Sequence, residues 1–209
     1  MKHRLCLVVL LAACTSQAPL TSSSSPTSSA EAPAAGRTLD LAAVVAASDQ
    51  ASKPVEAHRQ LARLAGQWSI VSAGIDEQGR TGLDVFEGTA ELGMILGGRY
   101  LLWRETQQLP GGPRESVGFV AYDKIAREWQ WSMATDLSTG IGVARGEGSL
   151  EGGVRFVMEL VDAQSGAVLR SRSRLVVLSE NELLLERLGA AADGTERTMR
   201  RVLYRRLVK

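Results

Sequence analysis

The sequence predicts an all-β fold, an antiparallel up-and-down barrel of eight to ten strands with a short N-terminal capping helix, on three observations. From Trp68 onward, runs rich in β-branched, aromatic and Leu residues are broken by nine turn clusters, namely "DEQG", "LGG", "LPGGP", "YDKIA", "TDLSTG", "LEGG", "DAQSG", "LSENE" and "AADGTE". Each carries the Gly, Asp, Asn or Pro punctuation that closes hairpins, so ten candidate strands result. Within the runs the pattern has period two. Val154, Phe156, Met158 and Leu160 share a face opposite Arg155 and Glu159, and Trp129, Trp131 and Met133 share one opposite Gln130 and Ser132. Finally, no long helical pattern interrupts the runs, which excludes β-α-β topology. A meander of this length either leaves two long edges exposed or closes on itself, and closure is expected.

At the start of the chain, "MKHRLCLVVLLAAC" has a short basic region, Lys2 to Arg4, and an apolar run from Leu5 to Ala13. About nine residues are too few to span a membrane, which needs roughly 20, but they suit a secretory leader. Leu11-Ala12-Ala13-Cys14 resembles the bacterial lipoprotein lipobox. The resemblance implies a signal peptide over residues 1–13, lipid attachment at Cys14 and an anchored envelope protein. In a Gram-negative cell Thr15 in place of Asp after the cysteine favours the outer membrane. Cys6 and Cys14 are the two cysteines of the chain, so on this reading the mature protein keeps no free thiol.

Residues 14–52 form the expected tether. "TSQAPLTSSSSPTSSAEAPAAG" is rich in Ser, Thr, Pro and Ala and lacks aromatics, so it cannot bury enough apolar surface to offset its conformational entropy. As a flexible coil it spans roughly 25 Å. "TLDLAAVVAASDQ" has room for a short helix. A second helix is predicted over residues 54–65. Pro54 suits its first position, Glu56 its first turn, and Ala57, Leu61, Leu64 and Ala65 make one apolar stripe, with Gly66 as the stop.

Residues 53–209 are then the barrel domain. Its opening Gly66-Gln67-Trp68 follows a helix and begins a strand, which resembles the signature of lipocalins and related calycin barrels. That resemblance implies that Trp68 packs across the closed end against a cation from the last strand. There "MRRVLYRRLVK" offers Arg200, Arg201, Arg205 and Arg206, of which Arg206 is favoured. "HRQLARLAGQW", "AELGMILGGRYLLWRE" and "VGFVAYDKIAREWQWSMATDLSTGI" together resemble a family of uncharacterised bacterial calycin-like barrel proteins, with Ala121 where that family usually has Gly. The likeness carries a fold and no activity.

Composition excludes several function classes. Taking Lys2 and Arg4 from the 24 basic residues leaves 22 against 23 acidic ones, so no global field draws in nucleic acid. His58 is the one histidine beyond the leader, and no Gly-x-Ser-x-Gly elbow accompanies it, so neither a catalytic triad nor a zinc site is indicated. Nitrobindin, a calycin-type relative, binds haem through a barrel histidine, and the segment from Trp68 to Lys209 has none; no cofactor is expected.

What remains is an interior. Tyr100, Trp103, Tyr122, Trp129, Trp131, Phe156, Met158 and Tyr204 are candidates for lining a cavity for an apolar or amphipathic ligand, such as a lipid or fatty acid. Arg170, Arg172 and Arg174 share one face by strand period. Facing inward they make an anion site; facing outward they deter edge pairing. The outward reading is favoured, since three buried cations need partners. Two further functions stay open. One is a ligandless module that binds another envelope protein. The other is an enzyme using carboxylates such as Glu105, Asp123 or Asp136, for which no paired motif is present.

Overall fold

A computed structural model describes residues 40–161, 166, 168–191 and 193–207. The expected leader, Cys14 and the expected tether up to residue 39 lie outside the described residues. The compact unit that begins at Asp40 contains two helices and ten strands. Helix α1, Leu41–Ser52, starts where the Asp40 carboxylate accepts from the N–H groups of Ala42 and Ala43 at 3.0 and 3.3 Å, an N-cap arrangement. No residue of α1 is buried apart from a half-covered Ala51. Its carboxyl end is held by barrel cations. Arg99 Nε donates to the Ser52 carbonyl at 2.6 Å, and Lys124 Nζ to those of Gln50 and Lys53.

Helix α2, Glu56–Ala62, is shorter than the predicted 54–65. Val55 is its extended N-cap, which leaves Pro54 just outside. Beyond Ala62 the backbone tightens into i→i+3 bonds, Leu64 N to Leu61 O at 2.9 Å and Ala65 N to Ala62 O at 3.2 Å. Leu61 and Leu64 from this turn are buried in the barrel core. Among the described residues no helix is long and apolar enough to cross a membrane.

The strands are β1 Gly66–Ile75, β2 Thr81–Ile95, β3 Tyr100–Leu109, β4 Gly112–Asp123, β5 Glu128–Thr135, β6 Gly142–Ser149, β7 Gly153–Val161, β8 Val168–Ser179, β9 Glu182–Ala190 and β10 Glu196–Arg206. Each pairs antiparallel with its sequence neighbours, and β1 pairs with β10 over Trp68↔Arg206 to Gly74↔Arg200, so the sheet closes with no free edge. The turns fall at the nine predicted clusters, the "DAQSG" turn lying mostly outside the described residues.

Register fixes which side chains face the lumen. Pairing carries the inward parity of Trp68 through Ala90 and Leu92 of β2, Leu101 and Trp103 of β3, and Val120 of β4. From there it passes to Trp129 and Trp131 of β5, Ala144 of β6, Phe156 and Met158 of β7, Leu175 of β8, and Leu183 and Leu185 of β9. These residues are all buried and form the core. They crowd the end of the barrel where α2 sits, and the lumen turns polar toward the other end.

Candidate functional site

The closed end is built around Trp68. Its Nε1 donates to the Leu64 carbonyl at 3.0 Å, and the Arg206 guanidinium lies 4.3 Å from its ring centroid. Gly66 has φ +149°, and a Cβ there would meet Arg206 Nη1 at 2.5 Å, so glycine is needed both for the backbone and for the space the cation occupies. This accounts for a Gly-x-Trp at the helix–strand junction. It plugs the barrel and holds no reacting group.

Above the plug the aromatic residues fill the lumen rather than line an open apolar chamber. Trp103 and Trp131 stack with centroids 5.6 Å apart, Tyr204 meets Trp103 edge-on at 5.2 Å, and Phe156 meets Trp131 at 5.5 Å. Nearer the closed end, Tyr122 packs edge-on to Trp129 at 5.1 Å. Met158 is buried beside them. Tyr100 is not among them. It pairs with Ile95 and Ala121 on the outer face and is 39% exposed, because it stands three residues from Trp103 on an alternating strand.

The polar half of the lumen was not singled out by sequence reasoning as a unit. Glu105, two residues after Trp103 and of the same parity, accepts from Trp103 Nε1 at 2.7 Å, Gln107 Nε2 at 3.3 Å, Ser116 Oγ at 3.5 Å and the Tyr204 hydroxyl. Burial and the Glu105 charge push the Tyr204 phenol well above its usual range, so it serves as a neutral donor. Arg200 ion-pairs with Asp84, donates to Ser72 Oγ at 3.1 Å and lies over Phe86 at 5.2 Å. Arg187 pairs in register with Ser173 and Arg200, hence also inward. Between these groups is a cavity of about 200 Å³, walled by Trp131, Met133, Leu185 and Val202 on its apolar side and by Glu105, Gln107, Arg187 and Arg200 on its polar side. The available signal was parity, since each polar residue sits two positions from a buried apolar one.

The arginine row faces the other way. Arg170 pairs with Glu159 at 3.1 Å, Arg172 with Glu196 at 3.4 Å and Arg174 with Glu186 at 2.6 Å, all on the outer wall, so the row forms no lumenal anion site. The residues of β8 that do face inward there are Ser171 and Ser173, opposite Met158 and Phe156.

Of the carboxylates considered for an enzyme, Glu105 alone reaches the lumen. Asp123 caps its own turn by accepting from Ile125 and Ala126 N–H at 2.8 and 3.0 Å, and Asp136 lies 3.8 Å from Arg114 at the rim. Among the described residues no group of three or more His, Cys, Asp and Glu is placed to hold a metal. His58 lies at the closed end, where its Nδ1 accepts from the Val55 N–H at 3.1 Å. Burial, then Lys124 and Arg99, lower its pKa, so the imidazole is neutral.

Comparison with curated proteins finds no match. Among solved structures, the crystal structure of Rv2717c from M. tuberculosis matches with 14% identity over 75% of this chain and 100% of the other, at a TM-score of 0.47. A de novo designed fluorescence-activating β-barrel matches with 16% identity over 74% of this chain and 100% of the other, at 0.39. A redesigned β-barrel matches with 12% identity, over 72% and 96%, at 0.37. Residues 53–206, which run from the approach to α2 to the end of β10, match a family described as "Protein of unknown function (DUF1579)", and the chain belongs to that family.

Proposed function

We propose that this chain is a lipid-anchored envelope protein whose barrel binds a small amphipathic molecule in the open half of its lumen. The observation that carries the binding is the cavity of about 200 Å³, apolar on one wall and hydrogen-bonding on the other. It is smaller than the roughly 300–1,000 Å³ typical of drug-sized ligands. The occupant is therefore a compact molecule or the head of a longer one, and a whole fatty acid is too large. The Trp68–Arg206 closure supports reading the barrel as calycin-like, and the lipobox "LAAC" supports anchoring at Cys14, with the outer membrane as the address in a Gram-negative cell.

Native mass spectrometry of the chain extracted from membranes tests the binding. A non-covalent adduct released on denaturation is expected, and a bare protein mass in repeated preparations rejects it. Labelling with an alkyne fatty acid tests the anchor separately. Label on the wild type that is lost in Cys14→Ser supports it, and an unlabelled wild type removes it.

A second reading, a docking module for another envelope protein, has one observation in its favour. The outer wall of β4 and β6 exposes Phe119 by 41% and Val143 by 56%, both in register with Ser132 between them. Alanine at both positions would disrupt that function and leave the lumen unchanged.

A further inference from the structure

The lumen presents an imbalance of donors. Trp131 is 3% exposed, lines the cavity and has its Nε1 buried with no hydrogen-bond partner. A buried indole N–H left unmade costs about 1–3 kcal/mol, so such a group marks a place where an acceptor belongs. The lumenal carboxylates cannot supply it. Glu105 already accepts from four donors, and Asp84 is paired with Arg200. Arg187 lines the same cavity and meets no carboxylate among the described residues. Arg197, opposite Gly189, has Nε and Nη1 buried without a partner. Its neighbours Glu196 and Thr198 both bond to outer-wall residues, Arg172 and Glu186, which places Arg197 on the lumenal side. Two guanidinium groups and one indole N–H thus face the lumen, and among the described residues none of the three is bonded to a carboxylate.

We infer that this half of the lumen is a monocarboxylate site, with Arg187 and Trp131 Nε1 holding the carboxylate, Arg197 adding positive charge at the mouth, and Met133, Leu185 and Val202 enclosing a compact apolar body. The inference rests on the proposed binding function and names its ligand class. A carboxylate is favoured over a neutral molecule because a partly buried guanidinium without a counter-ion is costly, and the planar fork of Arg187 matches two carboxylate oxygens. The cavity volume restricts the body to fragment size, for which benzoate is a suitable probe.

The test uses the ¹⁵N-labelled chain, whose four tryptophans give four indole N–H signals, that of Trp131 being assigned with Trp131→Phe. Titration with benzoate at pH 7 shifts the Trp131 signal to saturation. The Trp68 and Trp129 signals stay in place, since both N–H groups are already bonded to backbone carbonyls, Leu64 and Gly148. Benzyl alcohol, the neutral analogue, binds about tenfold or more weakly. Arg187→Gln weakens benzoate by a similar factor and leaves benzyl alcohol unaffected. If benzyl alcohol binds as well as benzoate, the carboxylate assignment is overturned and small-molecule binding stands. If neither moves the Trp131 signal, both are overturned. These outcomes need only the wild-type chain, so they hold even where Arg187→Gln fails to fold.

Discussion

The Arg206 guanidinium lies over the Trp68 ring and at the same time donates to three backbone carbonyls, those of Ala65 at 2.7 Å, Arg63 at 2.6 Å and Glu180 at 2.9 Å. One side chain thus ties the end of the helical turn, the β8–β9 turn and the last strand to the plug. Lys supplies the charge without the fork, and cannot reach three carbonyls at once.

Arg206→Ala is therefore expected to destabilise the barrel by about 2–4 kcal/mol, from the lost cation–π contact and the carbonyls left to weaker partners. Arg206→Lys should lose roughly half as much. Urea midpoints compared at constant m-value check both, and an Arg206→Ala midpoint equal to wild type would show that the closure does not depend on this residue.

Two lumen-facing glycines let the strands bend. A Cβ on Gly88 would lie 2.3 Å from the Thr106 carbonyl oxygen, and one on Gly118 would lie 2.3 Å from that of Ser132. Both obstacles are backbone, so neither yields cheaply, as expected where a barrel wall turns a corner. Gly93, on the outer parity of β2, meets nothing within 4 Å. Gly88→Ala and Gly118→Ala should each cost about 2 kcal/mol or more, while Gly93→Ala should be neutral or stabilise by up to about 1 kcal/mol. Three thermal melts decide it, and equal effects at Gly93 and Gly118 would reject the steric account.

The ten strands were legible because their turns carry Gly, Asp, Asn and Pro at nearly every junction, and because Val154, Phe156 and Met158 alternate with a face that carries Arg155 and Glu159, with the apolar Val157 between them. The polar lumen was harder to read. Glu105, Arg187 and Arg200 look like solvent-facing residues until register shows that they share parity with Trp103, Leu185 and Val202. The arginine row presented the converse difficulty. Its common face follows from spacing, but the alternate positions Ser171 and Ser173 are small and polar, so hydrophobicity does not say which side is inside. Tyr100 has the residue type of a lumen-lining position, but its odd spacing from Trp103 places the two on opposite faces.

Glu186 is 3% exposed, although it lies on the outer wall, because Arg174, Arg201 and Thr198 close over it at 2.6, 3.2 and 3.3 Å. Burial penalises its carboxylate, and the hydrogen bonds from Arg201 and Arg174 outweigh that penalty and hold its pKa below the usual range. A carboxyl with a depressed folded pKa contributes stability that is complete above its unfolded value, about 4.3, and is lost as pH falls through the folded one. Glu186→Gln should cost about 1–2 kcal/mol at pH 7, reduced from a fully buried pair because the arginines are partly solvated. The gap from wild type should narrow below about pH 4.3. A gap independent of pH between 7 and 3 would remove the charge from the explanation.

Tyr204 and Trp103 both donate to Oε1 of Glu105. Tyr204→Phe removes one of those donors while keeping the ring against Trp103, so a loss of about 1–2 kcal/mol is expected. It also leaves Trp103 as the sole donor to that oxygen, and its indole proton should move downfield as the bond strengthens. The Trp68 indole, bonded to Leu64 and not to Glu105, should stay where it is. An unmoved Trp103 signal would show that the two donors do not compete for Glu105.

His58 links the closed end to pH. Burial is the main cause of its lowered pKa, and Lys124 and Arg99 add to it. The folded chain thus prefers neutral imidazole, whose Nδ1 accepts from Val55. The unfolded value is about 6.5, so the contribution is complete above it and declines as pH falls from there toward the folded value. His58→Gln keeps an acceptor within reach of the Val55 N–H without the titration. Wild type should therefore lose stability relative to His58→Gln between pH 7 and 5, by about 1 kcal/mol or less. Lys124→Gln removes the larger of the two named cationic influences, so the imidazole titration followed by NMR should move up toward 6.5. The same substitution frees the carbonyls of Gln50 and Lys53, and α1 should loosen in hydrogen exchange while the barrel strands remain protected. A His58 titration unchanged in Lys124→Gln would leave burial as the whole cause of the shift.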